Sequence, residues 1–351
     1  MAGLETLRQV QQVAGGRFSA AGIPLDFGQD AAGRQALETG SALVDRSHWG
    51  RLRVTGDDRI RYLHNQSTND FQALQPGQGC ETVMVTSTAR TLDLVTAYVQ
   101  ADAILLLTSP QRRDFLASWL NKFIFFADRV EVADISAPTV SFTLVGPAGR
   151  DLVMGLSDQV PVDLELHGHQ TVDWQGYPLI VAVGSGLAAP GYTILAPVEA
   201  AAPLWETLVQ AGAVPVGETL WEEWRLSHGR PAPDRELTED YNPYEAGLWH
   251  CVSLNKGCYI GQETLARLNT YKGVKQQLWG LALTGPAEPG TPITVDGEKV
   301  GVLTSYGETP AGHRGLGYVR VRAGGAGLQV QVGERPAVVE ERPLLSRGYL
   351  D

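Results

Sequence analysis

The apolar residues of this chain come in short runs, and most runs are closed by glycine, proline or an aspartate turn. ETVMVT at 81–86, LDLVTAYV at 92–99, AILLLT at 103–108, VSFTLV at 140–145, LIVAV at 179–183 and YTIL at 192–195 have strand length and strand composition. A helix needs apolar positions three and four apart, sustained over several turns. Few stretches supply that: Leu4, Leu7, Val10 and Val13; then Phe115, Leu116, Trp119, Leu120 and Phe123; then 199–211 and 219–226. Forty glycines and twenty prolines in 351 residues provide the turns that such interruption requires. The expected class is α+β, with antiparallel sheets and helices, and the length suits two or three domains.

Local signals refine this. Gly56-Asp57-Asp58 closes a strand at 51–55 and caps a helix through Ile60 and Leu63. Ser109-Pro110 predicts a helix start, serine as N-cap and proline at the first helical position, and the aromatic stripe after it reads as core. Thr219 and Glu222 have capping-box spacing, and Trp221, Trp224 and Leu226 suit either core or the wall of an apolar pocket. Beyond Lys275, runs at 278–283, 292–295, 300–305, 316–321 and 328–332 predict five short strands and a small β-barrel. The expected domains are 1–274, in two subdomains, and 275–351. GSGLAA at 184–189 has dinucleotide-loop spacing, but Pro190-Gly191 stops the helix that would face a pyrophosphate, so that site is excluded.

Charge narrows the partners. Twenty-eight basic against 39 acidic residues give a net charge of −11, which argues against a broad nucleic-acid surface. The N-terminus lacks a basic segment followed by an apolar one, and no run approaches about 20 apolar residues, so neither secretion nor a membrane span is expected. Cys80, Cys251 and Cys258 are a sparse, odd set that suits a reducing compartment, the bacterial cytoplasm by default. The seven-residue spacing of Cys251 and Cys258 matches neither zinc nor iron–sulfur patterns, so no metal bound by this chain alone is expected.

The densest chemistry lies at 255–267, NKGCYIGQETLAR. Gly257 and Gly261 bracket Cys258 and Tyr259, and glycine permits positive φ and close approach. Residues from Gln262 onward favour helix, which puts Cys258 just before a helix N-terminus, where an anion is stabilised. Lys256 would share its side of an extended backbone and add a second cationic influence on the sulfur. A small buried cysteine in a turn fits the same residues.

KGCYIGQE at 256–263, with Ala266-Arg267 and the run Tyr271-Lys272-Gly273-Val274-Lys275, resembles the signature of the YgfZ-type folate-binding proteins. These are relatives of the glycine-cleavage T-protein, an aminomethyltransferase, that support iron–sulfur cluster proteins. LVDRS at 43–47, VTGDD at 54–58 and LHNQSTND at 63–70 resemble the opening of the aminomethyltransferase fold; KVGVLTS at 299–305 and GLGYV at 315–319 resemble its C-terminal barrel. The T-protein carries two adjacent aspartates where this chain has Asp93 and Leu94. It carries a folate-contacting glutamate after Arg-Leu, where this chain has Ser227, which leaves Glu223 as a pterin acceptor.

The resemblance implies tetrahydrofolate or a derivative as cofactor. It implies Cys258, Lys256 and Asp93 as catalytic residues, and Gly257, Tyr259, Gly261, Gln262, Glu263, Arg267 and Glu223 as folate contacts. Iron–sulfur client or assembly proteins are the implied partners, among them a radical enzyme that modifies tRNA. Two alternatives stand beside this reading: a tetrahydrofolate-dependent aminomethyl or methyl transferase, and a non-catalytic adapter that docks through the conspicuous loop.

Overall fold

The computed structural model describes residues 2–161 and 163–350. The chain divides into two compact units interleaved in sequence: Met1–Arg59, Ala73–Cys80 and Thr96–Trp221 form one; Ile60–Gln72, Glu81–Val95 and Glu222–Asp351 form the other.

The first unit is built on a six-stranded sheet ordered His169–Trp174, Tyr177–Val183, Gly191–Pro197, Thr139–Val145, Ala42–Asp45 and Val214–Val216. Its ladders are antiparallel except the last, which pairs Val214 with Ala42 in parallel. Alternate residues Phe142, Leu144, Val181 and Ile194 meet Leu7 of the Ala2–Val13 helix and Leu204, Trp205 and Leu208 of the Ala201–Gln210 helix in one core. GSGLAA is the turn between two antiparallel strands, where the Ser185 hydroxyl donates to the Ala189 carbonyl at 2.8 Å. A second, five-stranded sheet runs Gly79–Val85, Thr91–Val99, Ala103–Pro110, Trp49–Thr55 and Glu131–Asp134.

Ser109-Pro110 does not start a helix. The strand continues through Pro110, which opposes Trp49 at the end of its ladder, and the helix runs Arg113–Lys122. Proline is tolerated there because a strand end needs no further N–H donor. Of the expected stripe only Leu116 and Leu120 are buried among the helical residues; Phe115 is 40 % exposed and stacks on Trp119 at 6.1 Å. A ten-residue helix lying on a sheet buries one i, i+4 ridge and leaves the flanking positions outside.

The second unit holds a closed barrel ordered Gln276–Leu283, Gly312–Arg320, Glu298–Thr309, Pro292–Val295, Gln329–Val332 and Arg335–Glu340. Six strands close it, not five. Arg335–Glu340 opens with Arg-Pro and reads as coil, yet Ala337 and Val339 point into the barrel core beside Leu281, Ile293 and Leu303. The same unit contains the Arg59–Gln66 helix from Ile60 onward, the Glu81–Val95 hairpin and the Gln262–Thr270 helix. The helix predicted from Thr219 begins one residue earlier, Glu218–His228. Glu222 does not turn back to cap it, because its carboxylate accepts from Arg225 at 2.7 and 2.8 Å and also faces Arg235.

Candidate functional site

The 255–267 loop is held by its lysine. Lys256 is buried, and its ammonium donates to the carbonyls of His64, Ser67 (2.8 Å) and Asn69 (2.6 Å). These carbonyls lie at and just beyond the C-terminus of the Arg59–Gln66 helix, where backbone acceptors are left over and a cation is favoured. An ammonium has three protons, and each has a carbonyl here. Lys256 thus anchors the loop to the stretch LHNQSTND, which supplies the three carbonyls. The Tyr259 ring covers the ammonium at 4.5 Å, and burial pushes the Tyr259 hydroxyl up to about 12.

Two backbone bonds secure the loop on either side of the cysteine. Ser253 N–H donates to the Thr68 carbonyl at 3.0 Å, and Ile260 N–H to the Asn65 carbonyl at 2.9 Å. Between them Cys258 is exposed. Gly261 is the N-cap of the Gln262–Thr270 helix with φ +82°, and a Cβ there would come within 3.0 Å of Ala89 Cα and the Thr86 carbonyl oxygen. Only glycine satisfies both the left-handed backbone and the contact. Past it, Leu265 is buried against Ala89, Tyr244, Trp249 and Val274, whereas Glu263 and Arg267 are on the exposed face and Gln262 is half-buried.

His64 is the polar side chain at this loop that sequence reasoning passed over. It is buried, with Nδ1 3.1 Å from Asp70 Oδ1, and a Cβ on Gly257 would stand 3.7 Å from its Nε2. Burial first, then the Lys256 charge, pushes its pKa down, so the imidazole is neutral near pH 7. The signal was present in LHNQSTND, whose residues supply the lysine's carbonyls, His64 and Asp70 together.

Asp93 is fully buried in the Thr91–Val99 strand. Leu94, its neighbour on the opposite face, is fully buried with Val83, Val85, Leu237 and Leu248. Glu223 is half-buried in the Glu218–His228 helix; Ser227 is exposed, and its hydroxyl donates back to the Glu223 carbonyl at 2.9 Å. The buried charge on this helix is Arg225, which donates to Glu222 at 2.7 Å, Glu236 at 3.0 Å and Ser305 at 2.8 Å. Burial opposes its charge, but Glu236 and Glu222 outweigh burial and raise its pKa. An open crevice of about 670 Å³ in the same unit is bordered by Glu245, Lys275, Arg320 and Arg322, a charge pattern suited to a ligand with carboxylates. Burial raises the Glu245 carboxyl.

The fold is that of the glycine-cleavage aminomethyltransferases: it superposes on the crystal structure of glycine cleavage system aminomethyltransferase T from Bartonella henselae with a TM-score of 0.86, covering 97% of this chain and 98% of that one at 22% identity. The chain belongs to the family of the GCVT N-terminal domain, which matches residues 16–256. It is 47% identical over 342 residues to a chloroplastic protein of Arabidopsis thaliana that carries the provisional name of a transferase, covering 96% of this chain and 79% of the relative. It is 31% identical to the aminomethyltransferase of Rubrobacter xylanophilus, covering 92% and 87%. Among the described residues no helix is long and apolar enough to cross a membrane.

Proposed function

We propose that this protein is a YgfZ-type, folate-binding member of the family that supports the assembly or repair of iron–sulfur cluster proteins, with Cys258 as its reactive thiol. The observation that carries the reading is an exposed cysteine on a loop whose lysine, glycine N-cap and backbone bonds are all committed to holding it in place. A cysteine serving only as core filler is buried; this one is presented to solvent from a rigid mount. His64 borders the loop at Gly257 as a buried imidazole. Reduced folate is the ligand of this reading, as the family membership suggests, and iron–sulfur proteins are its clients.

Aminomethyl transfer is disfavoured by Leu94. In the resemblance, Leu94 stands where the T-protein has its second aspartate; it is fully buried among apolar neighbours and neither accepts a proton nor bonds a pterin nitrogen. The test is complementation of a strain lacking its own factor, read as activity of cluster-dependent enzymes. Wild type is expected to restore activity and Cys258→Ser to fail, and Asp93→Ala, run beside them, separates a thiol-dependent from a carboxylate-dependent role. Full rescue by Cys258→Ser would refute the thiol role and leave an adapter. Calorimetry with tetrahydrofolate and a formylated derivative tests the ligand separately, and absence of binding by both at high micromolar concentration would refute it.

A further inference from the structure

We propose that the first unit holds a binding site for a small monocarboxylate with an apolar body, in a cavity of about 260 Å³ between its two sheets, with Arg51 at the cationic end. The site is independent of the function above. Leu105 of the five-stranded sheet and Ile135 line one side; Ile180, Leu195 and Pro197 of the six-stranded sheet line the other. The second wall is a row across strands: Thr171 opposes Ile180, and Ile180 opposes Leu195, so their side chains share one face. The alternate residues Val181 and Ile194 point to the opposite face and its core, so the cavity is not a packing gap in that core.

Arg51 borders the cavity and is itself buried, 2% exposed. Its guanidinium is clamped: Nε donates to Thr139 Oγ1 at 2.9 Å, and the two Nη atoms donate to the carbonyls of Ser47, Trp49, Ser136 and Thr139 at 2.6–3.1 Å. All of these acceptors are neutral. They satisfy the protons and leave the charge standing. The two carboxylates that act on it from farther off are engaged elsewhere: Asp45 accepts from Gln11 at 2.9 Å and pairs with Arg8, and Asp134 lies 3.3 Å from Arg113. Burial pulls the guanidinium down to about 10, more strongly than Asp45 and Asp134 raise it, so Arg51 is charged near neutral pH and poorly solvated. A buried cation beside an apolar hollow favours an occupant that brings one negative charge on a hydrocarbon body.

Size sets the class of ligand. A dry cavity of about 150 Å³ takes benzene, so this one takes about ten non-hydrogen atoms, short of the about 300 Å³ at which drug-sized ligands begin to fit. Octanoate has that count. The head lies at the Arg51 end, where Thr139 opposes Pro197 and the Ile135 N–H donates to the Arg51 carbonyl at 2.9 Å. It meets the guanidinium as a charge through space, because the N–H groups are already taken. The body runs along Leu195 and Ile180 toward Thr171. That residue is three strands from Thr139, about 14 Å at about 4.8 Å per strand, a length that holds an extended chain of this size.

The test is calorimetry on the full chain with octanoate, butanoate and 1-octanol. Octanoate is expected to bind at one equivalent. Butanoate buries four methylenes fewer and is expected to bind more than about a hundredfold weaker; octanol has the same body without the charge and is expected to bind at least about tenfold weaker. The charge is varied in the ligand because replacing Arg51 would strand the four carbonyls that hold it. Ile180→Trp fills the cavity and abolishes binding, with thermal melting to verify the fold. Should that variant not fold, Thr171→Trp decides, since Thr171 is exposed on the same cross-strand row. No octanoate binding at millimolar concentration, octanol binding as tightly as octanoate, uptake of several equivalents, or full affinity in the folded tryptophan variant overturns the site.

Discussion

Replacing Lys256 by methionine removes the ammonium and keeps the length of the side chain. Two of its three bonds, to the His64 and Ser67 carbonyls, are fully buried, and the third, to Asn69, is partly solvated. Water takes over the third carbonyl. The two buried acceptors are left without that donor, at about 1–2 kcal/mol each, and the apolar tip of methionine returns about 1 kcal/mol. The net loss is about 1–3 kcal/mol, below the sum of three charge-assisted bonds because the desolvation of the ammonium is also relieved. Chemical denaturation of wild type and Lys256→Met measures it, and limited proteolysis reads the loop directly, with new cleavage expected at 254–260. A loss under about 1 kcal/mol with no new cleavage would show that the three carbonyls are not what positions the cysteine.

Gly261→Ala meets both a left-handed backbone and a 3.0 Å approach to Ala89 and Thr86, and is expected to cost at least about 2 kcal/mol in denaturation, whereas Cys258→Ser stays within about 0.5 kcal/mol. Arg225→Met strands Glu236, which is fully buried, and should destabilise by about 3–5 kcal/mol; a double variant with Glu236→Gln should recover part of that loss in the same assay. Burial, then the Arg46 charge, pushes His48 down to about 4 from 6.5. The unfolded chain therefore takes up this proton first as pH falls, and stability drops between pH 6.5 and 4 by up to about 3 kcal/mol. His48→Gln should flatten that part of the stability–pH curve measured by thermal melting, and an unchanged slope would assign the acid loss elsewhere.

Strands were legible where branched apolar runs met Gly or Pro turns: 92–99 falls within a strand and 81–86 within one but for Thr86. At Ser109-Pro110 a local helix-start signal loses to strand pairing opposite Trp49, which only the sheet supplies. The last barrel strand went unread for the opposite reason: Arg335-Pro336 is a weak strand opening, and closure against Gln276–Leu283 and Gln329–Val332 makes it one. At the site, NKGCYIGQETLAR by itself announced a cysteine before a helix N-terminus and a glycine under positive φ. Both are local properties, set by a residue and its chain neighbours.

What the lysine does was not local. A cation two residues from a cysteine reads as its electrostatic partner, yet its ammonium also donates to carbonyls at and just beyond the end of the Arg59–Gln66 helix, nearly two hundred residues earlier. Sequence determines which side chains carry chemistry and the backbone they prefer; partners far along the chain are chosen by packing, because a buried donor or charge is stable only where the folded backbone brings an acceptor to it.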